Sequence, residues 1–200
     1  ATNVNPINPF DVGPLVTDAE LGVGLIRAAL LEGGNVEVRT TGNTPGDGNI
    51  TLEVPLDYDN TGDSSLSLIA AGEIQILANI VDRNEIATSI GGIPIFAPSP
   101  DNLDLTLQAN GQITVADNVL IDTNTGLLFL ESLLDEISVS GDLNTSSGDV
   151  VLKAPEGSVT ISTPIETAIA IPTAIGVPDN GGDVIIEAQD AVNINNIDTR

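Results

Sequence analysis

The chain has 200 residues, enough for one domain with a sizeable core, and 41% of them are apolar, too many for a disordered acidic tail. Its net charge is −24, with only Arg27, Arg39, Arg83, Lys153 and Arg200 as basic residues, so nothing can form a basic stripe and nucleic acid is excluded as an expected partner. Cysteine and histidine are absent, which removes disulfides, Cys/His nucleophiles and any reading of the compartment from cysteines.

Residues 1–16, with Pro6, Pro9 and Pro14, read as an extended connector. The opening Ala1-Thr2-Asn3-Val4 has neither Met nor a signal peptide, which reads as a mature or excised segment. The segment 17–34 holds the one predicted helix, over 18–31. Thr17-Asp18-Ala19-Glu20 has capping-box spacing, and Gly33-Gly34 supply a stop. Leu21, Leu25, Ile26, Ala29 and Leu30 fall on one helical face.

From residue 35 to 200 the chain reads as strand and turn, carrying a two-beat apolar pattern. The first beat is Val36-x-Val38, Leu66-x-Leu68, Leu105-x-Leu107, Leu128-x-Leu130, Val150-x-Leu152 and Val184-x-Ile186. The second is Ile50-x-Leu52, Ile74-x-Ile76, Ile113-x-Val115, Ile137-x-Val139, Val159-x-Ile161 and Val192-x-Ile194. A third apolar residue follows each: Leu56, Ile80, Val119, Leu143, Ile165 and Ile197. Corners between the beats hold small residues, as in Ala70-Ala71-Gly72 and Ala109-Asn110-Gly111. Period-2 alternation places the aliphatics on one face. Recurrence of the same asymmetric pair predicts one stacked unit, a parallel β-helix of about six coils and roughly 30 Å in length at the spacing between strands. The scarcity of aromatics, 2%, fits a narrow aliphatic core and not a transmembrane barrel with aromatic girdles. Longer intervals become loops at 81–102 and 166–180. Both contain apolar stretches, "IGGIPIFAP" and "TAIAIPTAIGV", that either mark partner sites or fold over a coil face.

The stretch "TDAELGVGLIRAALLEGGNVEV" with "GDGNITLEVPLDY", and the units "LSLIAAGEIQILANI" and "LTLQANGQITVADNV", resemble the filamentous haemagglutinin-like and high-molecular-weight-type adhesins of bacterial two-partner secretion. The resemblance covers about residues 17–200. It implies a right-handed β-helix, export through an outer-membrane pore, and display on or release from the cell surface. No copy of the family's N-terminal secretion domain is visible, so an internal piece of a longer exoprotein is expected.

Candidate chemistry is sparse. Asp57, Asp59, Thr61 and Asp63 place oxygen side chains at alternate positions before and after Gly62, a pattern that can wrap calcium. It is not an EF-hand, since Leu68 stands where a bidentate Glu is needed, and a plain Asp/Asn/Gly-rich turn between coils is the simpler reading. Asp82, Asp122, Glu166 and Asp198 follow the third apolar residues, so that stacking along one edge could let them hold cations or sugars. No other cofactor is expected. The expected role is a non-enzymatic stalk or adhesive segment, extracellular or at the cell surface, with cell-surface or matrix ligands as partners. Two alternatives stand beside it: a self-assembling filament or sheath subunit joining end to end, and a carbohydrate-active β-helix enzyme.

Overall fold

The computed structural model describes residues 10–12, 21–42, 47–58, 62–82, 86–90, 93–96, 102–167 and 182–198. In chain order the elements are β1 (Phe10–Val12), α1 (Val23–Leu31), β2 (Asn35–Thr40), β3 (Ile50–Leu52), β4 (Leu56–Tyr58), β5 (Ser64–Ala70), β6 (Ile74–Ile76) and β7 (Ile80–Asp82). There follow β8 (Ile86–Ile90), β9 (Ile93–Phe96), β10 (Leu103–Ala109), β11 (Ile113–Val115), β12 (Leu120–Asp122), β13 (Leu128–Ser132), β14 (Ile137–Val139) and β15 (Asp142–Asn144). The series closes with β16 (Val150–Ala154), β17 (Val159–Glu166), β18 (Val184–Ala188) and β19 (Val192–Asp198).

Three ladders of parallel strands carry the fold. The first runs β1-β2-β5-β10-β13-β16-β18, the second β3-β6-β11-β14-β17, and the third β4-β7-β12-β15-β17. The long β17 joins the last two: Val159–Ile161 pairs with β14, while Ile165 and Glu166 pair with β15. Strand β19 pairs along both halves of β17. Parallel strands need crossover connections. Here each crossover is supplied by the other two ladders, so successive passes of the chain stack on one another. This arrangement fits a β-helix, or β-solenoid, built from repeats. Within 1–16, read as connector, Phe10–Val12 joins the first sheet beside β2.

Register shows why the beats recur. Val36, Leu66, Leu105, Leu128, Val150 and Val184 form one row across the first sheet. Ile50, Ile74, Ile113, Ile137, Val159 and Val192 form another across the second. From Leu66 to Ile165 the members of both beats are buried. Burying each such Leu or Ile is worth about 1.5–3 kcal/mol. The exceptions are Ile50 in the first pass, which is half-buried, and the last pass. Val192, expected inward, is 47% exposed, and Val184, Ile186 and Ile194 are only half-buried. Among the described residues nothing stacks beyond β18 and β19, so these side chains lose contacts on one side.

The third row needs a correction. It runs Leu56, Ile80, Ile121, Leu143, Ile165 and Ile197, with Ile121 in the place expected for Val119. Asp117 and Asn118 add two residues to that corner, and Asn118 turns the chain at φ 61°. Val119 is still buried, but it sits in the corner ahead of the strand.

The helix is shorter than the expected span 18–31. It starts at Val23 after the extended Gly22, which offers no capping side chain, and the capping box Thr17–Glu20 lies outside the described residues. Ile26, Ala29 and Leu30 are buried against the first pass, whereas Leu25 points away and is 41% exposed. The Gly33-Gly34 stop is a Schellman motif: Gly33 N–H donates to Leu30 O at 2.9 Å and Gly34 N–H to Ala29 O at 3.3 Å. Gly33 adopts φ 73°, which a side chain would resist. The Ser64 hydroxyl donates to Leu30 O at 3.0 Å, tying the helix end to the second pass. Among the described residues no helix is long and apolar enough to cross a membrane.

Corners are fixed by side chains as well as by size. Ala70, Ala109 and Ser132 share one inward row, and the Ser132 hydroxyl is satisfied by Gly111 O at 2.8 Å. At the corner from third to first sheet, Thr123 donates to Gly126 O at 2.9 Å, Thr145 to Gly148 O at 2.5 Å and Thr167 to Gly182 O at 3.1 Å. All three threonines are fully buried, so each hydroxyl needs that carbonyl. Gly182 returns 15 residues after Thr167, so the expected loop 166–180 leaves the ladder through this corner. The expected loop 81–102 leaves through the same corner, between Asp82 and Leu103, and includes the antiparallel hairpin β8–β9. Within these loops, residues 83–85, 91–92, 97–101 and 168–180 lie outside the described set.

Candidate interaction faces

Inward residues are consumed by the core, so any ligand must meet the outward ones. Parallel stacking repeats them about every 4.8 Å and sorts them into rows. Each ladder presents a different chemistry.

The second sheet carries Thr51, Gln75, Thr114, Ser138, Thr160 and Asn193 in one outward row, all uncharged. The third carries Asp57, Val81, Asp122, Asn144, Glu166 and Asp198. Asp122, Glu166 and Asp198 therefore share the edge expected for them, but Asp82 does not. Asp82 lies two residues after Ile80, aligned with the inward Tyr58, and is buried. An even offset from Ile80 turns Asp82 inward, whereas Asp122, Glu166 and Asp198 each stand one residue after the inward Ile121, Ile165 and Ile197.

Burial raises the Asp122 carboxyl above the ordinary Asp range, opposed by hydrogen bonds it accepts from the Asn124 N–H at 2.9 Å and the Asn144 amide at 3.1 Å. Asn144 repeats the arrangement one pass on, accepting from Ser146 N–H at 3.0 Å. Both Asn124 and Ser146 have positive φ, so the acceptors hold two strained turns in register.

Of the expected calcium ligands, Asp57 is half-buried on β4 and Asp63 is exposed ahead of β5. Asp59 and Thr61 lie outside the described residues. Among the described residues no three acidic groups are grouped to hold a metal. Within this turn the Gly62 carbonyl accepts the buried Tyr58 hydroxyl at 2.6 Å, which closes the turn without a metal ligand.

The first sheet is the face that period-2 reading overlooked. Its outward residues form a grid: Asp104-x-Thr106-x-Gln108, then Leu127-x-Phe129-x-Glu131, Asp149-x-Val151-x-Lys153 and Asp183-x-Ile185-x-Glu187. Phe129, Val151 and Ile185 are adjacent in the middle column, with Leu127 beside them. Phe129 and Val151 are half-buried, and Ile185 is 45% exposed. The run Leu127-Leu128-Phe129-Leu130 is apolar throughout, so alternation alone could not separate its outward members. Carboxylates flank this strip and are held in place. Asp104 accepts the Leu127 N–H at 2.9 Å, and Asp149 accepts the Asp183 N–H at 2.8 Å. Gln108 donates to Glu131 at 2.6 Å, and Lys153 pairs with Glu187 at 3.3 Å.

Compared with protein-family models, with curated proteins and with solved structures, the chain matches none.

Proposed function

We propose that this chain is a structural stalk or adhesive segment of a secreted bacterial surface exoprotein of the filamentous haemagglutinin-like type, built on a right-handed β-helix of about six coils. The observation that supports it most is the continuous stacking of parallel strands in three ladders, which stiffens one axis and presents rows of outward side chains for contact. On this reading the protein acts without catalysis, reaches the cell surface through an outer-membrane pore, and meets cell-surface or matrix ligands. Calcium at Asp57–Asp63 belongs to the same proposal as a turn-stiffening ion.

The test is adhesion of the purified chain to cultured epithelial cells and to matrix-coated surfaces under flow, with electron microscopy of the particles. Retained short rods are the expected result. Particles that are not elongated, or rods that wash off every surface, would overturn it.

A filament subunit is the second reading, favoured by β18 and β19, beyond which no described strand pairs and where Val192 and Ile197 are exposed. The packing of α1 over the first pass opposes it, because a copy arriving there would have to displace Leu30. Long end-to-end fibres on the same grids would decide for the filament.

A further inference from the structure

The outer grid of the first sheet has an unused combination: a contiguous apolar strip enclosed by fixed carboxylates. We infer that it is a docking surface for a cationic, amphipathic peptide segment of a partner protein. The inference names the partner class for the adhesive reading and rests on it.

Phe129, Val151 and Ile185 lie side by side on adjacent strands, so together they span about 10 Å, enough for one or two large side chains. Desolvating such a strip favours an apolar partner. Charge narrows the choice. Asp104, Asp149 and Asp183 line one side, while Glu131 and Glu187 line the other with Lys153 between them. Lysine or arginine side chains next to an apolar anchor would meet these carboxylates. A second copy of the chain would bring its own charge of −24 and the same carboxylates, and an anionic lipid surface would be repelled in the same way. The carboxylates are also preorganised. Asp104 and Asp149 are already oriented by backbone N–H groups, and Glu131 by Gln108, so little side-chain freedom is lost on binding.

The probe is a blocked heptapeptide of alternating Lys and Phe, titrated calorimetrically into the purified chain. Control peptides alternate Glu with Phe and Lys with Ser. Only the Lys/Phe peptide should bind. The double variant Phe129→Ser/Ile185→Ser should weaken it roughly tenfold or more. The triple variant Asp104→Asn/Asp149→Asn/Asp183→Asn keeps an acceptor oxygen at each position. It should weaken binding at low salt and converge on the parent at high salt. Glu166→Gln/Asp198→Asn, on the third sheet, should leave affinity unchanged. Equal binding of the Lys/Ser peptide, or equal weakening by the third-sheet pair, would reduce the effect to bulk charge and overturn the site. Should the serine variant unfold, the triple variant and the peptide controls still decide. A chain that binds the peptide but no cell keeps this site and loses the adhesive reading. One that binds cells but not the peptide loses this site.

Discussion

Stacked backbones leave some positions no room for a single carbon. A Cβ on Gly148 would lie 2.1 Å from Gly126 O, whereas one on Gly62 meets nothing within 4 Å. Gly148→Ala should therefore destabilise by about 1–3 kcal/mol, and Gly62→Ala by less than about 0.5 kcal/mol, as read from urea midpoints. Equal losses would mean that steric stacking is not what selects glycine at the corner. Asp122 gives a second prediction. Its raised pKa means that the folded chain binds more protons than the unfolded one between the ordinary Asp value and the raised one. Stability must then fall as pH rises through that interval, and the penalty is complete above it. Asp122→Asn removes the ionisation, so the variant should gain on the parent as pH rises through the same interval. A difference that stays constant with pH would show that Asp122 does not titrate differently in the fold. Asp122 was legible in the sequence only as a carboxylate near an edge. Its Asn124 and Asn144 partners depend on a register that no single turn reveals.

Strand rows were readable because each inward position must repeat in every pass, and Leu66, Leu105 and Leu128 repeat it openly. The third row was misread in one pass because Val119 falls six residues after Ile113, the same spacing as Leu143 after Ile137. The corner containing Asn118 moves the strand on to Ile121. Deleting Asp117 and Asn118 would restore that spacing to Ile121 itself. The shortened chain should keep its parallel-sheet spectrum and lose no more than about 1 kcal/mol in urea, as surface turns tolerate length changes. Collapse of the spectrum would show that the longer corner is required. The buried threonines were missed for a different reason. Thr123, Thr145 and Thr167 read as ordinary polar turn residues, and their burial follows only from the stacking of Gly126, Gly148 and Gly182 above one another. The helix face was overextended because helical periodicity counts Leu25, while Ile26, Ala29 and Leu30 are the buried members and Leu21 and Val23 pack half-buried beside them. The outward strip of Phe129, Val151 and Ile185 stayed hidden because it interleaves with core positions.

For the molecule as a whole, a charge of −24 on 200 residues opposes compaction. Screening should relieve it: raising ionic strength from about 0.02 M to about 0.5 M shortens the Debye length severalfold and should raise the melting midpoint. A midpoint that falls or stays put would place the carboxylates too far apart to matter. Stability is also distributed unevenly along the stack. Each pass is held by its neighbours, so a pass with one neighbour is the weakest. Backbone amides in Val192–Ile194 should exchange with solvent faster than those in Ile113–Val115, although both segments have the same sequence pattern. At the opposite end, Leu30 closes the core under α1. Among the described passes, tension along the stack would therefore meet fewer packed side chains at β18 and β19 than at the strands beneath α1, so the two regions would give way at different loads.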